Sequence, residues 1–355
     1  MTAAPRSRYE VTRAELADLL GGQPRYRVDQ LWSGLYEQLA GLDELTTLPK
    51  ALRADLAERL PLALGAVAES TSDRGETVKW LWGLHDGTRV ETVLMHYDDR
   101  STACVSTQAG CAMGCGFCAT GQAGFDRQLS AGEIVEQVVR AARRARDDGR
   151  RLSNVVFMGM GEPLANYDAT WRAIERLHTD LGLSARHLTV STVGIVPGIR
   201  RLATEALPVN LAVSLHAADD ALRDELVPIN RRYPLSVLMD ACAGYLQAKG
   251  RRLSFEWALI DGVNDRDRDA DLLVERARSL PLPAHVNLIP LNPTPGYAVR
   301  GTPMPRVRAF RDRLRAGAVN ATVRQTRGTD IDAACGQLRA GHAASEPVTI
   351  SGRRG

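Results

Sequence analysis

The spacing of apolar positions changes period twice along the chain. Up to about residue 61 it is helical. Thr12 and Glu15 stand at capping-box spacing ahead of Leu16, Leu19 and Leu20. Val28, Leu31, Trp32, Leu35 and Tyr36 then follow the i, i+3, i+4, i+7, i+8 pattern of an amphipathic helix. Thr46 or Thr47 is expected to cap a third helix through Leu52, Leu56 and Leu60, ended by Pro61. The period next falls to two: Val78, Trp80, Trp82 and Leu84 alternate, and Asp86-Gly87 separates them from the apolar run 90–95, a hairpin signal. From about residue 100, short apolar runs at 103–105, 154–158, 187–190, 211–215, 253–260 and 285–289 are separated by helical stretches. The clearest of these helices is 130–146, opened by a Ser130/Glu133 capping box and striped by Ile134, Val135, Val138 and Ala142.

Near-continuous apolar strands joined by helices indicate a parallel sheet and an α/β fold. Six such repeats predict a partial (β/α)6, TIM-like barrel whose functional groups gather at the C-terminal strand ends. The expected organisation is a small N-terminal helical domain (1–65), a β-hairpin extension (66–100), the barrel (101–317) and a C-terminal segment (318–355). That last segment has one more apolar run, 321–323, and a polar stretch holding Cys335.

Composition narrows this picture modestly. With 355 residues, 44% apolar and 25% charged, the chain is of ordinary globular character, and no stretch is apolar enough to span a membrane. No apolar segment follows Arg6 and Arg8, so no signal peptide is expected and a cytoplasmic location is. A formal net charge of +3 says little about nucleic acid. Arginines cluster at 140, 143, 144, 146, 150 and 151, and again at 306, 308, 311, 313 and 315. Such clusters are most simply solvated helix faces, and secondarily a grip for RNA phosphates.

Cysteine changes the picture more. Of the six, three lie in Gly110-Cys111-Ala112-Met113-Gly114-Cys115-Gly116-Phe117-Cys118, spaced C-x3-C-x2-C. Cysteine thiolates are the usual ligands of iron–sulfur clusters. Three of them leave one iron of a [4Fe–4S] cluster open to the amine and carboxylate of S-adenosylmethionine (SAM), which the cluster can reduce to a radical. The alternative is a zinc site, but zinc favours four ligands in paired knuckles, and only one knuckle is present.

This spacing after the first barrel strand resembles the radical SAM superfamily. Met158-Gly159-Met160-Gly161-Glu162-Pro163, after the second strand, is similar to the element that holds the SAM ammonium in that superfamily. Ser191, the Ser214-Leu215-His216 turn and Asn292 also end strands. With Gly161 and Glu162 they form the SAM contacts the resemblance implies. A narrower resemblance spans nearly the whole chain. Arg327-Gly328-Thr329-Asp330-Ile331-Asp332-Ala333-Ala334-Cys335-Gly336-Gln337-Leu338, Val90-Glu91-Thr92-Val93 and Cys104-Val105-Ser106-Thr107-Gln108 are similar to the dual-specificity 23S rRNA/tRNA adenosine-C2 methyltransferases.

The resemblance implies that Cys335 takes a methyl group from SAM, that Glu91 accepts a proton, and that Cys104 closes a transient disulfide with Cys335. Its implied partners are 23S rRNA, tRNA and an electron donor such as flavodoxin or ferredoxin, acting on a monomer. Cys242, in an apolar helical stretch, reads as core. Three alternatives stand beside this reading: a related methyltransferase acting on adenosine carbon 8, a radical SAM activase of proteins, and a zinc-stabilised RNA-binding module without enzymatic activity.

Overall fold

The computed structural model describes residues 6–292, 294, 299–334 and 336–338. Its N-terminal helices follow the apolar periodicity. α1 (Arg13–Leu19) starts on a complete capping box, the Glu15 carboxylate accepting from the Thr12 amide at 2.8 Å, and it buries Leu16. α2 (Tyr26–Tyr36) buries Leu31, Trp32, Leu35 and Tyr36. α3 (Lys50–Arg59) begins later than expected. Pro49 occupies the N-cap position, where its fixed φ suits helix entry, and neither Thr46 nor Thr47 caps. Leu56 and Leu60 are buried as the pattern requires.

A strand not anticipated from the sequence comes next. β1 (Gly65–Ser72) is exposed along most of its length and shows no alternation of apolar residues to reveal it. It pairs antiparallel with β2 (Thr77–Gly83), which in turn forms the expected hairpin with β3 (Arg89–His96). The Asp86 carboxylate, accepting from the Thr88 amide at 3.0 Å, shapes the turn between them.

β4 (Ser101–Cys104) joins this antiparallel extension to the barrel, pairing antiparallel with β3 on one side and parallel with a later strand on the other. A short hairpin then intervenes before the barrel proper: β5 (Gln108–Gly110) pairs with β6 (Phe125–Gln128), and between them runs the three-cysteine loop and α4 (Ala119–Ala123). The βα alternation follows as α5 (Ala131–Asp147), β7 (Leu152–Phe157), α6 (Tyr167–Thr179), β8 (Leu188–Thr192), α7 (Val196–Thr204) and β9 (Asn210–Ser214). It continues through α8 (Asp220–Leu226), α9 (Leu235–Lys249), β10 (Leu253–Leu259), α10 (Asp267–Arg278), β11 (His285–Pro290), α11 (Met304–Ala316) and β12 (Asn320–Val323).

All the strands except the short hairpin form one open sheet in the order β1-β2-β3-β4-β7-β8-β9-β10-β11-β12, parallel from β4 onward. The six apolar runs are the six parallel strands of a partial barrel, and the run at 321–323 adds a seventh, β12. Along each strand one face enters the core: Val190, Val213, Phe255, Trp257 and Leu288 are fully buried. The alternate residues Ser191, Ser214, Glu256, Ala258 and Ile289 line a cavity in the barrel.

Arginines of α5, and Arg150 just after it, turn out to be internal fasteners. Arg140 pairs with Glu136, Arg143 with Glu44, Arg144 with Glu69 and Asp148, and Arg150 with Glu76. Several of these carboxylates belong to the N-terminal helical unit or the β extension, so this face of α5 fastens those parts to the barrel. Arg306 and Arg313 likewise bind Asp267 and Asp271. No helix among the described residues is long and apolar enough to cross a membrane.

Candidate active site

The cysteine loop is shaped by its backbone. Gly110 has φ +74° and packs so tightly on Gly124 that an added Cβ would come within 2.2 Å of the Gly124 carbonyl oxygen. The Cys111 amide donates to that same carbonyl at 2.6 Å, and the Cys118 amide donates to Cys115 O at 3.2 Å. All three sulfur-bearing residues line one cavity, which is partly open to solvent. Burial pushes the Cys111 thiol up to about 12. It drives Cys115 well above the usual thiol range, with Cys118 and Cys111 adding to the effect.

Thiols in such a place give up their protons to a metal far more readily than to water. That donor set fits three corners of an iron–sulfur cluster. Among the described residues no three His, Cys, Asp or Glu side chains already converge as ligands of one ion, so the fit rests on the donor type and on the three cysteines sharing one cavity.

The glycine-rich turn after β7 lines the same cavity. Gly161 has φ +99°, and a Cβ there would sit 2.5 Å from that of Gln108. The Gln108 side-chain oxygen accepts from the Glu162 amide at 2.7 Å. Glu162 is buried, its Oε1 accepting from Leu164 N at 3.0 Å and its Oε2 from Val193 N at 2.8 Å. Burial raises its carboxyl to about 7 against those bonds.

Gly161, Glu162, Ser191, Ser214, His216 and Asn292, the residues the resemblance implies as SAM contacts, all line the cavity. Leu215 does not. Its side chain is fully buried in the core, and its amide donates to Glu256 O at 3.0 Å. His216 lies behind Phe117 of the cysteine loop, with ring centres 4.6 Å apart.

The three residues with implied roles outside the cluster are placed unequally. Glu91 on β3 is 5% exposed and pairs with Lys79 at 3.0 Å. Cys104 ends β4, 8% exposed, and its Cα partner on β3 is Val93. Neither lines the cavity. Ser106 nevertheless ties both regions to it, because its hydroxyl donates to Glu91 O at 2.6 Å and accepts from Met160 N at 3.0 Å. Cys335 lies outside the described residues. Of its neighbours, Gly336 lines the cavity and accepts from the Ala119 amide at 2.8 Å, and Lys79 donates to Asp332 O at 3.3 Å.

Two cavity-region residues escaped the sequence reading. Arg223 is fully buried and donates to Leu215 O, Val193 O and Asn230 Oδ1 at 2.7–3.0 Å, holding the ends of β8 and β9 in place. Glu256 lines the cavity from β10. A signal for it existed: an acidic residue on the same strand face as Ser254 and Ala258, inside an otherwise apolar run.

This loop on this barrel defines a radical SAM enzyme, and residues 105–273 match the Radical SAM superfamily. A radical SAM methyltransferase from Sphaerobacter thermophilus is 54% identical, with a TM-score of 0.91 over 95% of this chain and 100% of that one. A probable dual-specificity RNA methyltransferase RlmN of Chloroflexus aurantiacus is 51% identical over 95% of this chain and 93% of its own length. Another so named, from Frankia casuarinae, is 54% identical over 95% and 83%. The chain belongs to the RlmN family of dual-specificity RNA methyltransferases, which removes the non-enzymatic reading.

Proposed function

We propose that this enzyme methylates carbon 2 of an adenosine in 23S rRNA and in tRNA, carrying the methyl group on Cys335. The observation that supports this most is the composition of one cavity wall. The three cluster-type cysteines, the Gly161-Glu162 turn and Gly336, the residue next to Cys335, all face the same space. A radical generator and a methyl-carrying thiol would thus act on one base.

A bound [4Fe–4S] cluster and SAM supply a carbon-centred radical, which adenine carbon 2 requires because it is not nucleophilic. Cys111, Cys115 and Cys118 would hold the cluster. Gly161, Glu162, Ser191, Ser214, His216, Asn292 and the backbone at Leu215 would hold SAM.

The chain's own residues do the rest. The Cys335 thiolate takes a methyl from SAM by displacement and presents it as an S-methyl group. Glu91 accepts the proton lost from carbon 2, with Lys79 beside it holding the carboxylate in place. Once the methyl-derived carbon is joined to carbon 2, the Cys104 thiolate attacks the Cys335 sulfur: the sulfur–sulfur bond forms, the bond from sulfur to that carbon breaks, and the carbon takes up a proton as the methylated base leaves. External reduction resets the pair, and an electron donor such as flavodoxin or ferredoxin serves the cluster. The target base must leave its stack to reach this cavity. The enzyme acts as a monomer in the cytoplasm in this reading.

The test is anaerobic incubation of the reconstituted enzyme with deuterated-methyl SAM and rRNA or tRNA, followed by mass spectrometry of the adenosines. Label at carbon 2 is expected from the wild type and none from Cys335→Ala. Label at carbon 8 would move the enzyme to the related carbon-8 group. Methylation by Cys335→Ala would overturn the thiol-carrier scheme, and protein activation without S-methylation of Cys335 would identify an activase.

A further inference from the structure

One polar atom in the cavity has no use in the chemistry above. Glu256 is 4% exposed and lines the cavity wall. Its Oε1 is anchored, accepting from Asn287 Nδ2 at 2.8 Å and Ser254 Oγ at 2.9 Å. Asn287 is itself held by a hydrogen bond from Thr322 on β12. The other oxygen, Oε2, is buried and accepts no hydrogen bond among the described residues. Arg324 Nη1 stands 4.0 Å away, beyond direct hydrogen-bond reach.

Buried carboxylate oxygens are rarely left without a donor, because burial strips their water and nothing replaces it. Glu256 lines the cavity while its Oε2 has almost no accessible surface beside Arg324, so a ligand donor would satisfy this oxygen as the Arg324 side chain gives way. Its position narrows the choice of ligand. Arg324 follows β12 on the stretch that leads to Cys335, and its Nη2 reaches Met158 Sδ at 3.7 Å. Glu256, Arg324, Met158 and Gly336 all line the cavity, and the last of these is the neighbour of the methyl-carrying cysteine.

Building on the RNA-methyltransferase reading, we propose that Glu256 is the specificity residue for the target base, its Oε2 accepting from the exocyclic 6-amino group of the adenine. The 6-aminopurine edge sets an N–H donor beside ring-nitrogen acceptors. A carboxylate next to a guanidinium, which carries five N–H donors, presents the complementary pattern. A 6-oxo base such as guanine or hypoxanthine would turn an acceptor toward the carboxylate and be rejected.

SAM also carries an adenine, and the experiment separates the two sources. RNA hairpins with adenosine, purine riboside or inosine at the target position are compared for kcat/KM and for affinity to the unreduced enzyme. The affinity of S-adenosylhomocysteine is measured by calorimetry in parallel. The wild type should favour adenosine over purine riboside by about ten- to hundredfold, as a hydrogen bond to a charged group implies. Glu256→Ala should bring that ratio close to unity with cofactor affinity unchanged.

Glu256→Gln preserves the bracing by Ser254 and Asn287 and places an amide donor where Oε2 stood. It should shift preference toward inosine, and it serves if the alanine variant melts early. Unchanged base discrimination in both variants overturns the proposal. So does a loss of S-adenosylhomocysteine affinity with discrimination intact, which would make the cofactor's adenine the occupant. If the wild type methylates no hairpin, the broader functional reading fails, while the affinity ratios on unreduced enzyme still decide the role of Glu256.

Discussion

His216 holds a backbone conformation with φ +59°, and its Nδ1 accepts from the Ala258 amide at 3.0 Å. That bond requires an unprotonated nitrogen. Burial, with the charge of Arg223 adding to it, lowers the imidazole from 6.5 to about 3. Between those values the unfolded chain binds a proton that the folded chain refuses. Stability from this group is therefore full above the unfolded value and is lost as pH falls. Glu162 runs the other way: its carboxyl is raised from 4.5 to about 7, so its contribution is full at low pH and lost as pH rises across that range. The two windows overlap, and the wild-type curve alone isolates neither. His216→Asn keeps an acceptor for Ala258, and subtracting the wild-type curve cancels Glu162. Denaturant titrations should show the variant gaining roughly 2 kcal/mol relative to the wild type as pH drops from about 6.5 to about 5. A difference that does not vary with pH would mean the imidazole is protonated in the fold.

At the level of elements, what the sequence revealed depended on local rules. The capping boxes before α1 and α5 and the Asp-Gly turn between β2 and β3 are short-range signals, and each stands in the fold. β1 and the β5–β6 hairpin were invisible because one is solvated along its length and the other spans only three or four residues per strand. The start of α3 was set by Pro49 rather than by a side-chain cap. The attachment of the N-terminal helices could not be read from pattern at all, since it runs through single long-range contacts. Arg176 on α6 is central among them: it donates to Tyr9 O, Val11 O and the Tyr36 hydroxyl, and its guanidinium lies 5.5 Å from the ring of Trp32. Removing it leaves several buried acceptors unpaired. Arg176→Ala should cost about 2–4 kcal/mol and speed amide exchange across residues 9–36, with exchange in β7–β11 barely altered. Uniform acceleration throughout the chain would show instead that the helical unit and the barrel unfold together.

For the whole molecule, the period switch from helix to hairpin to alternating strand and helix was enough to forecast a partial barrel, because buried parallel strands leave a strong apolar trace. The candidate cysteine site was legible for a different reason, three thiols falling within eight consecutive residues. What stayed hidden were the residues that join distant segments: Arg223 across β8 and β9, and Gln137 of α5 bonded to both the amide and the carbonyl of Ser106. The cysteine loop is itself such a junction. Beyond it, the Ala119 amide donates to Gly336 O and the Thr120 hydroxyl to Leu338 O, so the start of α4 carries the C-terminal segment. Loss of the metal should then be felt well away from the thiols. A ligand present at a thousandfold its dissociation constant stabilises a fold by about 4 kcal/mol, which for a chain of this length raises Tm by several degrees. Anaerobic chelation of reconstituted enzyme should lower Tm by that amount and accelerate exchange in residues 329–338. Cys115→Ala should show no response to the chelator. Cys242→Ala, which removes a fully buried thiol from α9, should melt earlier throughout yet keep the whole metal-dependent increment. If chelation shifts Tm while exchange in 329–338 stays constant, the loop holds its metal without tethering the segment that carries Cys335.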